Sequence, residues 1–186
     1  MAEQTQLRMT VREYFELPET NTPVELIDGE LIVSPATSDN HQKTSGGFYL
    51  SLAPRLSHGE LRYAPVDVVL DDGTIVQPDL LWVSPDNERC RLGENGRWYG
   101  APDLVIEIFS PGTERRDRGV KFVLYQQHGV REYWMVDIEA QYIEIYFREG
   151  EQWIRLGIFG PGEPFASPLL GEPPLDVSSL LGLLNP

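Results

Sequence analysis

Cysteine is nearly absent. The 186 residues contain one, Cys90, so neither an intrachain disulfide framework nor a thiolate zinc cluster can be built. Long apolar runs are missing too. None approaches the roughly 18 residues of a membrane-spanning helix, and the opening MAEQTQLRMT lacks the apolar stretch of a secretory leader. Positive charge is scarce. Fifteen Lys and Arg stand against 29 Asp and Glu, a formal charge of −14, so the long-range field repels nucleic acid and anionic membranes alike. Any phosphate-binding role must rest on a local basic patch or a bound metal. The expectation is a soluble cytoplasmic protein that does not engage a membrane.

What is present is enough for a core. With 41% apolar residues the chain is expected to form one domain over 1–186. Thr10 and Glu13 have capping-box spacing, which predicts a short helix starting at Thr10 and stopping before Pro18. Asp28-Gly29 lies between apolar runs in VELIDGELIV and predicts a two-residue hairpin. A second helix follows Ser38 or Asp39, with Phe48, Leu52 and Leu56 at helical spacing, although Gly46-Gly47 and Pro54 oppose it. LRYAPVDVVL and TIVQPDLLWV read as strands joined at Asp71-Asp72-Gly73, and 84–100 as a loop. TERRDRGVKFVLYQQHG reads as a helix with Thr113 as N-cap and Gly129 at its end. EYWMVDI, YIEIYFRE and QWIRLGIF read as three strands, the last two a hairpin. The Pro/Gly-rich stretch 160–186 is expected to pack on the domain as a tail. This order predicts a mixed α/β (α+β) fold, a central mixed β-sheet flanked by helices.

The run APDLVIEIFSP, residues 101–111, carries a chemical anomaly. It has strand character, with Leu104, Ile106 and Ile108 on one face and Val105, Glu107 and Phe109 on the other. Both faces are apolar apart from Glu107, so the strand is central and covered on both sides. A buried carboxylate needs a cation, a hydrogen-bond network or a metal. Asp103 is four residues along the same strand, about 13 Å away, too far to share an ion. Asp79, on a different strand, converges with Glu107 if the strands are neighbours about 5 Å apart. From Glu107 to Ser110 the strand advances roughly 10 Å. A helix running back from Glu114 returns about the same distance by Lys121, which places Lys121 level with Glu107. Two bland readings stand beside this one. Glu107 serves as half of a structural ion pair, and Lys121 lies on a solvated helix face paired with Asp117.

Pro78-Asp79, Glu107 and Lys121 together resemble the PD-(D/E)XK nuclease superfamily. A wider ordered set is similar to the bacterial Uma-two family of restriction-endonuclease-like proteins. It comprises PVELIDGELIVSPATSDNHQ, VVLDDGTIVQPDLLWVSP, APDLVIEIFSPGTERRDRGVKFVLYQQHGVREYWMVD and SPLLGEPPLDV, and spans about Thr10 to Leu181. The resemblance implies a restriction-endonuclease-like fold and a metal-dependent endonuclease that hydrolyses phosphodiester bonds in DNA, with Mg²⁺ or Mn²⁺ as cofactor. Asp79 and Glu107 are then metal ligands, with the backbone carbonyl of Ile108 as a third. The superfamily pattern puts a lysine two residues after the acid, where this chain has Phe109, so Lys121 from the following helix is the candidate. Glu25, in the first hairpin, is an additional acid, and His41 also fits the family pattern.

Arg115, Arg116, Arg118 and Lys121 form the densest basic cluster. Arg115 and Arg118, with His41, are the expected substrate-binding residues; ordinary ion pairing with Glu114 and Asp117 is the alternative. Trp98 in the 84–100 loop either anchors that loop or stacks on a base. A homodimer is expected, since two sites related by a two-fold axis suit the cutting of both strands of a duplex. The competing reading is a non-catalytic binding or regulatory module that retains the fold, which Phe109 and the acidic surface favour.

Overall fold

Thr10 caps the first helix, α1 (Val11–Phe15), through a reciprocal capping box with Glu13. The structure, a computed structural model, describes residues 8–183 apart from Glu19 and Asn21. The first seven residues, read above for a leader, and Leu184 in the terminal apolar run lie outside the described residues. Asp28 and Gly29 take φ values of 50° and 79°, the left-handed pair that a tight hairpin requires, and join β1 (Val24–Ile27) to β2 (Glu30–Val33).

Two stretches read as single strands are each broken in two. LRYAPVDVVL divides into β3 (Glu60–Tyr63) and β4 (Val68–Asp71), and TIVQPDLLWV into β5 (Thr74–Val76) and β6 (Leu80–Val83). Pro65 and Pro78 stand in the gaps, where a residue without an N–H cannot continue a ladder. The breaks send β4 and β5 into one sheet and β3 and β6 into another. The 84–100 loop contains a further small hairpin, β7 (Arg91–Leu92) and β8 (Trp98–Tyr99). Trp98 is buried in the core and is not offered to a base.

The first sheet runs β2-β1-β5-β4-β8-β7. The second runs β12-β11-β10-β9-β6-β3, with β9 (Leu104–Ile108), β10 (Glu132–Asp137), β11 (Tyr142–Glu149) and β12 (Gln152–Phe159). Its β9 and β10 are parallel and its other neighbours antiparallel. The fold is thus mixed α+β, built on two mixed sheets flanked by helices.

Strand β9 is buried along its whole length because both faces are covered. Leu104, Ile106 and Ile108 pack with Phe48 and Leu52 of α2 (Asp39–Leu52). Val105 and Phe109 pack on the other side with Tyr125, Tyr133 and residues of the first sheet such as Val68 and Val76. Ser38 caps α2, and its two glycines have different reasons. A Cβ on Gly47 would lie 2.8 Å from the carbonyl oxygen of Leu180 in α5 (Val177–Leu180), whereas one on Gly46 meets nothing.

The stretch from Gly160 forms a hairpin, β13 (Pro164–Ser167) and β14 (Gly171–Asp176), and then α5. Phe165, Leu175, Val177 and Leu180 join the core beside Trp134, each worth about 1.5–3 kcal/mol of burial. Buried Glu132 pins the hairpin. Its carboxylate accepts hydrogen bonds from Ser167 Oγ, the Leu169 N–H and Trp134 Nε1.

Candidate active site

After β9 the chain turns through Ser110 and Thr113. Thr113 Oγ1 accepts from the Ser110 N–H at 3.1 Å, so it stabilises the turn and does not cap the helix directly. The helix is not uniform. It begins as α3 (Glu114–Arg116), widens into a π-turn over Asp117–Lys121, and continues as α4 (Phe122–His128), ending at left-handed Gly129. Such widened turns recur at functional sites. Asp117 and Lys121 both project inward, with side chains 2% exposed, which excludes a solvated face for them.

Strand pairing places the acids. In β6 and β9 Leu80 is opposite Ile106, and continuing that register by one step sets Asp79 opposite Glu107, on the same face. Asp79 Oδ2 accepts from the Ile108 N–H at 2.7 Å. His41 Nε2 lies 3.2 Å from Asp79 Oδ2 and 3.2 Å from the Ile108 carbonyl oxygen. Glu107 Oε1 accepts from Lys121 Nζ at 2.9 Å and from Tyr125 OH at 2.6 Å. Glu25 arrives from β1 of the other sheet. Its Oε1 lies 2.8 Å from Lys121 Nζ and accepts from the Gln77 N–H. Asp117 Oδ1 is 3.7 Å from the same ammonium. Arg116 Nη2 donates to Ser34 Oγ at 2.8 Å and lies 3.4 Å from Glu25 Oε2.

Glu25, His41, Asp79, Glu107, Lys121 and the Ile108 carbonyl are therefore brought together. Arg115 and Arg118 are not. Arg115 is exposed and lines no part of the cavity at this cluster. Arg118 bonds Glu114 and Glu144, with its guanidinium 4.7 Å over the Phe109 ring. Their neighbour Arg116 lines the cavity. Asp117, Tyr125 and Gln77 were not foreseen as site residues. Asp117 and Tyr125 had a visible signal, since each stands four residues from Lys121.

Four carboxylates (Glu25, Asp79, Glu107, Asp117) share Arg116, Lys121 and the His41 imidazole, which lies against Asp79. Burial pushes Glu107 well above the usual carboxylate range, although Lys121 opposes this, and burial likewise raises Asp117. Burial works against a charged Lys121, but Glu107, Glu25 and Asp117 outweigh it and hold the ammonium protonated. Burial also works against a charged His41; the hydrogen bond to Asp79, that carboxylate's charge and the Ile108 carbonyl together outweigh it and raise the pKa.

Glu25, His41, Asp79, Arg116, Asp117 and Lys121 line a cavity of about 420 Å³; Glu107, held by Lys121 and Tyr125, is not part of its lining. Among the described residues, Glu25 Oε2, Asp117 Oδ1, His41 Nδ1 and Arg116 Nε are buried without a hydrogen-bond partner, and all four belong to its lining. Unsatisfied buried groups are few in folded proteins, so four in one lining fit a polar or ionic ligand. Among the described residues no three His, Cys, Asp or Glu side chains converge closely enough to cage a metal by themselves. A hard divalent cation needs less: one or two carboxylates, with water and substrate phosphate completing its shell. Asp79, Glu107 and the Ile108 carbonyl make an all-oxygen set of that size.

Comparison with known proteins agrees with the resemblance. A family model described as Uma2, "Putative restriction endonuclease", matches residues 11–178. The uncharacterized protein slr1290 of Synechocystis sp. is 25% identical over 137 residues, covering 71% of this chain and 70% of its own. The crystal structure of a "putative nuclease belonging to DUF820" from Anabaena variabilis superposes with a TM-score of 0.73. It is 22% identical, and the match covers 93% of this chain and 97% of that one. That likeness is one of fold. No helix among the described residues is long and apolar enough to cross a membrane.

Proposed function

The chain belongs to the Uma2 family, and on that premise we propose that it is a divalent-metal-dependent nuclease hydrolysing phosphodiester bonds in DNA. The observation that carries this reading is the set of four buried, unsatisfied polar atoms lining one acid-rich cavity. Asp79, Glu107 and the Ile108 carbonyl would hold Mg²⁺ or Mn²⁺. When bound, such an ion polarises the scissile phosphate and lowers the pKa of a coordinated water.

The chain's own groups do the rest. Lys121, protonated and held between Glu107 and Glu25, donates to the attacking water or to a phosphate oxygen as charge develops. It replaces the lysine that Phe109 excludes from the strand. Glu25 fixes the direction of the ammonium. His41 bridges Asp79 and the Ile108 carbonyl and so holds both oxygens in place. Arg116 meets the non-bridging oxygens of the substrate. A homodimer would present two such sites related by a two-fold axis.

A second reading is favoured by one observation: Lys121 is already engaged by three carboxylates, as in a closed structural network. The protein would then be a non-catalytic binding module. Plasmid and single-stranded DNA incubated with Mg²⁺, Mn²⁺ or EDTA separate the two. Asp79→Ala and Glu107→Ala, purified identically, serve as controls. Metal-dependent cutting lost in both variants is expected. Cutting that persists in both marks a contaminant. No cutting, together with no thermal shift on adding either ion, favours the module.

A further inference from the structure

We propose that the cavity takes one unpaired DNA strand and not a duplex, which deepens the nuclease reading and rests on it. The reacting groups lie inside walls. Side-chain exposure is 14% for Asp79, 6% for His41 and 2% for Lys121. The walls come from four separate stretches: 34–38 ahead of α2, Ala64-Pro65, 110–113 after β9, and Ile138-Glu139. About 420 Å³ suits one compact ligand, here one nucleotide unit, and pockets of roughly 300–1,000 Å³ are usual for that purpose. It has no room for two backbones. A duplex is stiff over the length of such a site, so bringing one phosphate between these walls carries the cost of bending or unpairing it.

The lining chemistry agrees. Pro35, Pro65 and Pro111 offer apolar surface to a base or sugar, and Ser34 and Thr37 offer neutral hydroxyls. Cations are few. The lining holds Arg116 and Lys121, both facing carboxylates, while Glu139 adds a further acid. A complementary strand would bring a second row of phosphates toward the lining acids Glu25, Asp79, Asp117 and Glu139. Where an enzyme must bring a nucleotide into a pocket, an unpaired one costs least, because no stacking or pairing is broken.

The test measures binding and cutting separately. Fluorescence anisotropy with the full chain in Ca²⁺ compares a labelled single strand, the same sequence as a blunt duplex, and the same sequence as RNA. Cleavage in Mg²⁺ or Mn²⁺ then uses a duplex carrying an internal unpaired bubble. The single DNA strand should bind at least about tenfold more tightly than the duplex, with cuts confined to the bubble. Equal or tighter duplex binding overturns the inference and leaves the nuclease reading intact. Single-strand preference without any cutting retains the inference about strand choice and removes hydrolysis. Binding of neither DNA overturns the inference, and a tenfold preference for RNA overturns its assignment to DNA. Ala36→Trp, at an exposed position on the rim, should weaken single-strand binding at least about tenfold with an unchanged Tm. Unchanged binding by that variant would place the strand elsewhere.

Discussion

Lys121 Nζ stands 2.9 Å from Glu107 Oε1, and both side chains are almost wholly withdrawn from solvent. Removing the lysine leaves Glu107, Glu25 and Asp117 buried without their shared cation. Lys121→Ala should therefore destabilise the fold by about 3–5 kcal/mol in EDTA. Lys121→Met with Glu107→Gln should recover part of that loss, because the amide removes one of the orphaned charges. Urea midpoints of the three proteins decide it. A loss under about 1 kcal/mol for Lys121→Ala would mean that the carboxylates are already neutralised by protons.

The arginines separate by position. Arg116 lines the cavity, Arg115 faces solvent and Arg118 is held by Glu144. Arg116→Ala should lower cleavage roughly tenfold or more, the worth of one hydrogen bond to a charged group, while Arg115→Ala stays within about twofold. Steady-state cleavage of one oligonucleotide by each variant is the measurement. Equal losses at both positions would point to long-range charge instead of contact.

The adjacent glycines of α2 should respond in opposite directions. Gly46→Ala enters open space and should stabilise by roughly 0.5–1 kcal/mol through helix propensity. Gly47→Ala drives a methyl group into the Leu180 carbonyl and should cost about 1–3 kcal/mol. Thermal or urea unfolding distinguishes them, and stabilisation by both would mean that α5 moves aside freely.

Glu132 gives a pH dependence away from the candidate active site. Burial lifts its carboxyl above the ordinary 4.5, against the hydrogen bonds from Ser167, Trp134 and Leu169 that lower it. A folded pKa above the unfolded one contributes stability that is full below the unfolded value and is lost as pH rises through the folded value. The native protein should lose stability relative to Glu132→Gln as pH rises from about 4.5 toward neutrality. Unfolding free energies of the two proteins across that window test this. A constant difference would remove Glu132 from the account.

Much of the site could be read along the chain. Glu107 stood out because a buried strand leaves a carboxylate few explanations, and the rise of strand and helix alone brought Lys121 to its level. Strand spacing also made Asp79 a neighbour in principle. Other parts depend on information that no local pattern holds. Glu25 meets Lys121 only because two sheets pack together, and hydrophobic alternation does not say which sheet a strand joins. The same ambiguity hid the breaks at Pro65 and Pro78, where apolar runs on either side outweighed the missing N–H. Density of charge along the chain singled out Arg115 and Arg118 with Arg116, but charge density does not say which way each side chain points: Arg116 lines the cavity and Arg118 bonds Glu144.

Lys121 joins Glu25 of one sheet to Glu107 of the other, so a single ammonium rivets the two halves of the molecule. Its removal weakens the fold whether or not any phosphodiester is ever cut. A relative without catalysis would still be under pressure to keep the acids and the lysine. Their presence in a relative is therefore a record of architecture first, and turnover has to be measured in each such protein separately.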